Sequence, residues 1–360
     1  MKINILHIST ATSFRGGEQQ VSYLLRSLQN HMVKQVLICP KQAPLIDYVD
    51  NRFCNVVNYD TKKNTLFSAI NNINKVCNSE EVHIIHAHDS KAHTSAVLTV
   101  LKNKLNVKLV VTRRVLFPVS GYLSKLKYKT SIVNSVICIS KSVQNEMLKV
   151  INLKKTRIIS SAIDLEKFTS IEGFFFPFFK DKNIRVGYVA ALTPEKDHIT
   201  FLKTAQLILK KHQNITFYII GEGKLMNNIL ILVKKMNLQN NVVLTGFVKD
   251  IPNLIPQLDF LLFTSKLEGL GTTILDFYLA KKPVVTTLCG GNNEISLHNK
   301  TAMVSKVGDY KDLAHNFISL FENSDLRETI VNNAYNLVVK NFSLKDLGKN
   351  TFNEYEKVIK

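Results

Sequence analysis

The segment Lys266–Val285, KLEGLGTTILDFYLAKKPVV, decides the fold. The apolar run DFLLFTS leads into it, Gly269 and Gly271 break the run, Thr272 to Ala280 carries a helical pattern, and KPVVTT follows. Strand, glycine turn, helix and strand make one unit of a parallel sheet. Glu268 then falls at the carboxyl edge of that sheet. Backbone N–H groups from Leu270 to Thr273 open the helix without helical partners, and Asp276 lies about one turn further in. Open parallel sheets bind ligands along this edge, so the two carboxylates are candidates for one site.

The same alternation runs outward in both directions. KINILHIS (Lys2–Ser9) reads as a buried strand, followed by a glycine loop and a helix with Val21, Leu24, Leu25 and Leu28 on one face. QVLICP, VHIIHAH, VKLVVT and SVICIS are further strands. IRVGYVA (Ile184–Ala190) restarts the pattern, with Asp197 as N-cap of a helix near His198–Lys211, then ITFYIIGEG and NVVLTG. The expectation is an α/β protein of two Rossmann-like domains whose parallel sheets face a central cleft. Residues 1–172 would form the N-terminal domain, 173–183 a linker and 184–342 the C-terminal domain. A polar helix at 343–360 has the N-terminal domain as one surface to return to. FTSIEGFFFPFFKDKN, around the linker, reads as an apolar plug, with a membrane-touching loop as the alternative.

At 360 residues and 45% apolar, the chain suits two cores rather than one. Cys39, Cys54, Cys77, Cys138 and Cys289 form no C-x-x-C pair, which fits apolar core residues in a reducing compartment, hence a cytoplasmic expectation. The N-terminus lacks the apolar stretch of a signal peptide. No apolar run reaches the ~20 residues that cross a bilayer. Net charge is +19 and uneven: residues 1–182 hold 26 Lys and Arg against 12 Asp and Glu, whereas 183–360 hold 21 against 16. Ser90 to Asn145 contains no acidic residue. That stretch suits either a solvated basic surface or an anionic partner such as lipid headgroups; no nucleic-acid motif accompanies it.

Gly16 and Gly17 follow the first strand and open a helix, an arrangement that serves either a tight turn or an anion. G-x-G-x-x-G and G-x-x-x-x-G-K-[ST] are both absent, which disfavours dinucleotide cofactors and phosphate-loop ATPases. His83, His86, His88 and His93 crowd VHIIHAHDSKAH, but strand alternation sends His83 away from His86 and His88, so no metal site is expected. His88 and Asp89 stand at the strand end. Lys196, before a helix, is placed to meet phosphate oxygens, and Gly290, Gly291 and Glu294 close the next strand.

These residues resemble the retaining GT-B glycosyltransferases of the family-four type, which act on lipopolysaccharide core and glycolipids. The likeness rests on E-G-x-G, a second acidic residue, P-V-V and G-G-x-x-E, here Glu268 to Glu294. RGGEQQ, HAHD, VICISKSV, SSAIDLEKF, IIGEG and LTGFVKDIPNL support it across nearly the whole chain. The resemblance implies a nucleotide-sugar donor, such as a UDP-sugar, and hexosyl transfer without metal or other cofactor. Glu268, His88 and Lys196 would be catalytic. Donor contacts would come from Gly16, Gly17, Gly221, Gly223, Phe247, Val248, Gly269, Leu270, Gly271 and Thr272, with Asp276 on the ribose. Asp89, Arg113 and Arg114 would face an anionic glycolipid or lipopolysaccharide acceptor at the inner leaflet. Three positions depart from the pattern: Ala191 stands where relatives have arginine, with Arg15 a candidate substitute. Asp276 replaces glutamate with a shorter reach, and Lys281 replaces a glycine. A nucleotide-sugar epimerase and a non-catalytic nucleotide-sugar-binding protein are the competing readings.

Overall fold

A computed structural model describes residues 2–61, 65–169, 175–180 and 182–360. It divides into two compact units, Met1–Ala162 with Ser343–Lys360, and Ile163–Phe342. The division falls earlier than the 173–183 linker expected from the sequence. Ile163 N–H already donates to Phe342 O at 2.8 Å, which ties the start of the second unit to its end.

The first unit carries seven parallel strands: β1 (Ile3–Ile8), β2 (Val33–Pro40), β3 (Cys54–Tyr59), β4 (Ile84–Ala87), β5 (Lys108–Arg113), β6 (Val133–Cys138) and β7 (Thr156–Ile158). Their order is β3-β2-β1-β4-β5-β6-β7. The chain reverses its direction of winding between β1 and β4, where open sheets leave a crevice at the carboxyl ends. β1 and β4 pair in register with His7 opposite His86. The second unit has β8 (Ile184–Val189), β9 (Ile215–Ile220), β10 (Val242–Gly246), β11 (Phe260–Phe263), β12 (Val284–Thr287) and β13 (Met303–Ser305). Their order is β10-β9-β8-β11-β12-β13, with the reversal between β8 and β11. β9, ITFYII, is buried at every position, as a strand covered on both faces must be.

The C-terminal helix Leu344–Ile359 belongs to the first unit. Tyr355 is fully buried in the core with Ile5, Leu24 and Val110, and Phe352 stacks on His31 at 4.7 Å. Glu354 accepts from Ser135 Oγ (2.7 Å) and pairs with Arg157 Nε (3.0 Å). In the phenylalanine-rich run, Phe179 meets Tyr218 edge-on at 4.8 Å and lies under the Arg185 guanidinium at 4.5 Å. Those contacts favour a packed plug at Phe176 and Phe179, each 8% exposed, whereas Phe175 is 64% exposed; residues 170–174 and 181 of that run lie outside the described residues.

Candidate functional site

In the second unit the site grows from the carboxyl ends of β8 and β11. Beyond β8 the chain makes a short turn, Pro194–Lys196, and Asp197 takes a left-handed conformation (φ 50°) as N-cap of the helix His198–Leu209. The Asp197 carboxylate accepts from Thr200 Oγ1 at 2.7 Å. Tyr188, at 0% exposure, donates its hydroxyl to Lys196 O, and Thr264 Oγ1 donates to Asp197 O at 3.1 Å. The Lys196 backbone is therefore clamped between two neighbouring strands, while its ammonium reaches Glu268 Oε1 in a direct ion pair. The two side chains are 19% and 12% exposed, so the pair is shielded but open on one side.

Glu268 is held by the glycine loop that carries it. Gly291 N–H donates to Glu268 O at 2.9 Å. A Cβ on Gly291 would run into Gly269 O, and Gly271 (φ 73°) presses so close to Asn292 that no side chain fits. Gly291, after β12, thus packs against the Glu268 loop and supports it. The helix Thr272–Leu279 begins directly beyond, with Ile274 N–H donating to Gly271 O at 2.9 Å. Leu270, 2% exposed, packs its side chain into the core. Gly221 and Gly223 lie against the backbone of Ala190 and Leu192, where Leu192 N–H donates to Glu222 O at 2.9 Å. Phe247 is 58% exposed and Val248 partly buried beside it in sequence.

Asp276 is 7% exposed, and its Oδ1 accepts from Lys167 Nζ at 2.6 Å. Burial raises its carboxyl above the usual range and Lys167 opposes that shift. Lys167 was missed from the sequence, where it lies in IDLEKF with nothing to single it out. The short reach of Asp276 thus has a structural counterpart: a lysine of the same unit already occupies its carboxylate.

In the first unit, His88 follows β4 and is 5% exposed. Its Nε2 lies 3.0 Å from Nδ1 of His7, a residue the sequence reading passed over. His86 is engaged at both nitrogens, with Tyr355 OH at 2.6 Å and Thr112 Oγ1 at 2.7 Å. One ring nitrogen from each of the three lies within 4.8 Å of the others. Alternation along β4 does set His86 and His88 together, but the third member comes from β1, which local spacing cannot reveal. The bonds just described leave His7 and His88 one unpartnered nitrogen each. His83 turns elsewhere and accepts from Asn4 N–H at 3.0 Å.

Burial holds His7 down at about 3, and holds His86 and His88 well below 6.5, where neighbouring His and Arg114 charges add to the depression. A depressed folded pKa stabilises the fold above the unfolded value and loses that stability as pH falls. Stability of the first unit is therefore expected to decline from pH about 6.5 downward, before ordinary carboxylates titrate. Urea midpoints at pH 7.5, 6 and 5 check this, and a midpoint constant over that range would contradict it.

The acceptor-side candidates separate. Both oxygens of Asp89 are taken: Oδ1 accepts from Lys91 N–H, Ala92 N–H and Thr10 Oγ1 (3.0, 2.8 and 2.6 Å), and Oδ2 from Thr10 N–H (2.6 Å). It caps the helix Ser90–Asn103 and ties it to β1's loop, which is a structural role. Arg113 donates to Phe117 O and, at 3.4 Å, to Tyr128 OH. Arg114 turns inward beside Gly17, 3.8 Å from where a Cβ there would stand. Burial lowers its guanidinium to about 10, with Glu18 opposing. Gly16 and Gly17 open the helix Gly16–Ser27, and Arg15 precedes it with its N–H held by Glu18 Oε2 at 2.9 Å.

Known proteins match this chain throughout. The family model for Glycosyltransferase Family 4 matches residues 14–167, and that for Glycosyl transferases group 1 matches residues 171–337. The UDP-Gal:alpha-D-GlcNAc-diphosphoundecaprenol alpha-1,3-galactosyltransferase of Escherichia coli is 23% identical, covering 96% of each chain. The crystal structure of Anabaena HepE in complex with UDP and glucose superposes with TM-score 0.85 at 16% identity, over 98% of this chain and 99% of that one. The lipopolysaccharide outer core galactosyltransferase WaaB superposes with TM-score 0.68 at 13% identity, over 98% and 100%. At these identities the superpositions establish the shared fold.

Proposed function

Because the chain belongs to the family-four type of GT-B glycosyltransferases, we propose that it moves a hexosyl unit from a UDP-sugar to a membrane-held glycolipid or lipopolysaccharide-core saccharide, with retention and without a metal ion. The observation that carries this reading is the Lys196–Glu268 pair, set on a clamped backbone beside a glycine-broken helix start. An ammonium, a carboxylate and free backbone N–H groups at one strand edge suit the parts of a nucleotide sugar. The ammonium and the helix start take the diphosphate, and the carboxylate takes the sugar hydroxyls. In the reaction the bond from the anomeric carbon to the diphosphate oxygen breaks, a bond to an acceptor hydroxyl oxygen forms on the same face, and the hydroxyl's proton passes to the departing diphosphate. Charge grows on the diphosphate as it leaves, and Lys196 is fixed where that charge develops. The UDP and lipid-linked sugars in the names of the relatives support the choice of donor and acceptor.

Glu268→Gln tests the assignment with little change in shape. A hydrogen bond to a charged group is worth about 1.5–3 kcal/mol, so transfer should fall about 10- to 100-fold. UDP release from a panel of UDP-sugars with glycolipid acceptor reads the loss, and the anomeric coupling constant of the product reads retention. Wild-type turnover in the variant, or an inverted product, would overturn the reading.

A further inference from the structure

Arg114, directly after β5, is an inward-turned cation that nothing in the first unit neutralises by contact. Its Nε is sealed from solvent and has no hydrogen-bond partner, and no hydrogen bond or ion pair to its guanidinium occurs among the described residues. Glu18 acts on it from a distance, opposing the fall in pKa that burial imposes. That carboxylate is already engaged, with Oε2 accepting from Arg15 N–H at 2.9 Å. A charge taken out of water without pairing is strongly destabilising, so the guanidinium lacks a counter-ion.

The side chain lines a cavity of about 10 Å³ whose walls all belong to the first unit. Ser160, two residues beyond β7, and Thr351, 1% exposed on the C-terminal helix, line it as well. Neither hydroxyl makes a hydrogen bond among the described residues. The remaining polar walls are committed elsewhere. His86 is bonded at both nitrogens, and the Gln20 amide closes on Ala162, accepting from its N–H at 2.8 Å and donating to its O at 2.7 Å. Leu24, Ile137 and Ile159 complete the lining with apolar surface.

We propose that this cavity binds a small monatomic anion of the chloride class, held between the Arg114 guanidinium and the hydroxyls of Ser160 and Thr351. A guanidinium offers only N–H donors, and the two hydroxyls can turn their hydrogens inward, so the uncommitted groups around the cavity all donate. The space suits one small ion and is too little for the four oxygens of a phosphate. The ligand therefore differs from the diphosphate assigned to the second unit, and its binding does not depend on the transfer function. A water molecule in its place would satisfy the hydroxyls and leave the charge of Arg114 uncompensated. The anion ties together the end of β5, the end of β7 and the C-terminal helix.

Thermal unfolding of the full-length protein at constant ionic strength, with chloride replacing gluconate stepwise, tests it. A ligand that binds the native state raises the melting temperature by mass action. The rise should saturate and reach about 3 °C or more once chloride exceeds its dissociation constant about tenfold. Bromide should substitute for chloride, and phosphate should add nothing beyond gluconate. Arg114→Met should abolish the chloride response and melt in gluconate no lower than wild type, because the unpaired charge is gone. Ser160→Ala with Thr351→Val keeps the charge and should raise the half-saturating chloride concentration about tenfold, which decides the matter even if Arg114→Met fails to fold. A melting temperature indifferent to chloride, a phosphate response as large as that of chloride, a chloride response retained in Arg114→Met, or an unchanged half-saturation in the hydroxyl variant would overturn the site.

Discussion

Lys196→Met is expected to lower kcat by about 10²–10³, the loss that follows removal of a fixed group stabilising developing charge, with the fold unchanged. The stability expectation follows from the clamp, since Tyr188 and Thr264 hold the backbone of Lys196 and Asp197 without using the ammonium. The catalytic expectation follows from the pairing. Without its cation, the Glu268 carboxylate faces an incoming diphosphate with no compensating charge, so donor binding weakens as well. Lys196→Met combined with Glu268→Gln should therefore bind UDP better than Lys196→Met alone, yet recover little turnover, because the repulsion goes while the stabilisation of the leaving group does not return. Single-turnover rates and UDP titrations on the three variants check this, and additive losses in both quantities would contradict it.

Lys167→Met should produce the largest stability change, about 3–5 kcal/mol, the usual penalty for leaving one partner of a buried ion pair uncompensated. Lys167 and Asp276 are 6% and 9% exposed at the side chain, so water does not replace the missing ammonium. The pH dependence has a definite sign. Burial raises the Asp276 carboxyl and Lys167 lowers it, so removing Lys167 raises it further. A raised folded pKa contributes stability below the unfolded value and loses it as pH rises. The penalty is therefore fullest at neutral pH and shrinks toward acid, where the buried carboxyl is neutral. Lys167→Met with Asp276→Asn should recover much of the loss at pH 7. Amide exchange in the helix Thr272–Leu279, which carries Asp276, reports this unit separately from the first. A penalty below about 1 kcal/mol, or one that grows toward acid, would show that the pair is not a buried ionised pair.

The parts of the molecule legible from sequence are those written in local pattern. Glu268 could be placed at a strand edge because an apolar run, a glycine break and a helical period follow one another within Lys266–Val285. Strand alternation separated His83 from His86 and His88 for the same reason. Partners distant in sequence left no such trace: Lys167 and Asp276 are 109 residues apart, and His7 and His88 are 81 apart. Asp89 shows the opposite failure. Its position at a strand end suggested an acceptor contact, although an Asp directly before a helical run is equally an N-cap, and the cap is what forms. Gly290 and Gly291 were legible only as the glycines that close a strand, and the close packing of Gly291 against the Glu268 loop could not be read from that. β7 and β13 are three residues each, and β3, CNVVNY, lacks a clean alternation, so none of the three marks itself as a strand in the sequence.

The central claim is that the Lys196–Glu268 edge of the second unit receives the diphosphate and sugar of a UDP-sugar. Isothermal titration of a UDP-sugar panel into wild type, Lys196→Met and Glu268→Gln tests it most directly. The account predicts that at least one UDP-sugar binds wild type, that Lys196→Met weakens both UDP and UDP-sugar about tenfold or more, and that Glu268→Gln weakens the UDP-sugar more than UDP. Equal affinities for all three proteins would contradict it.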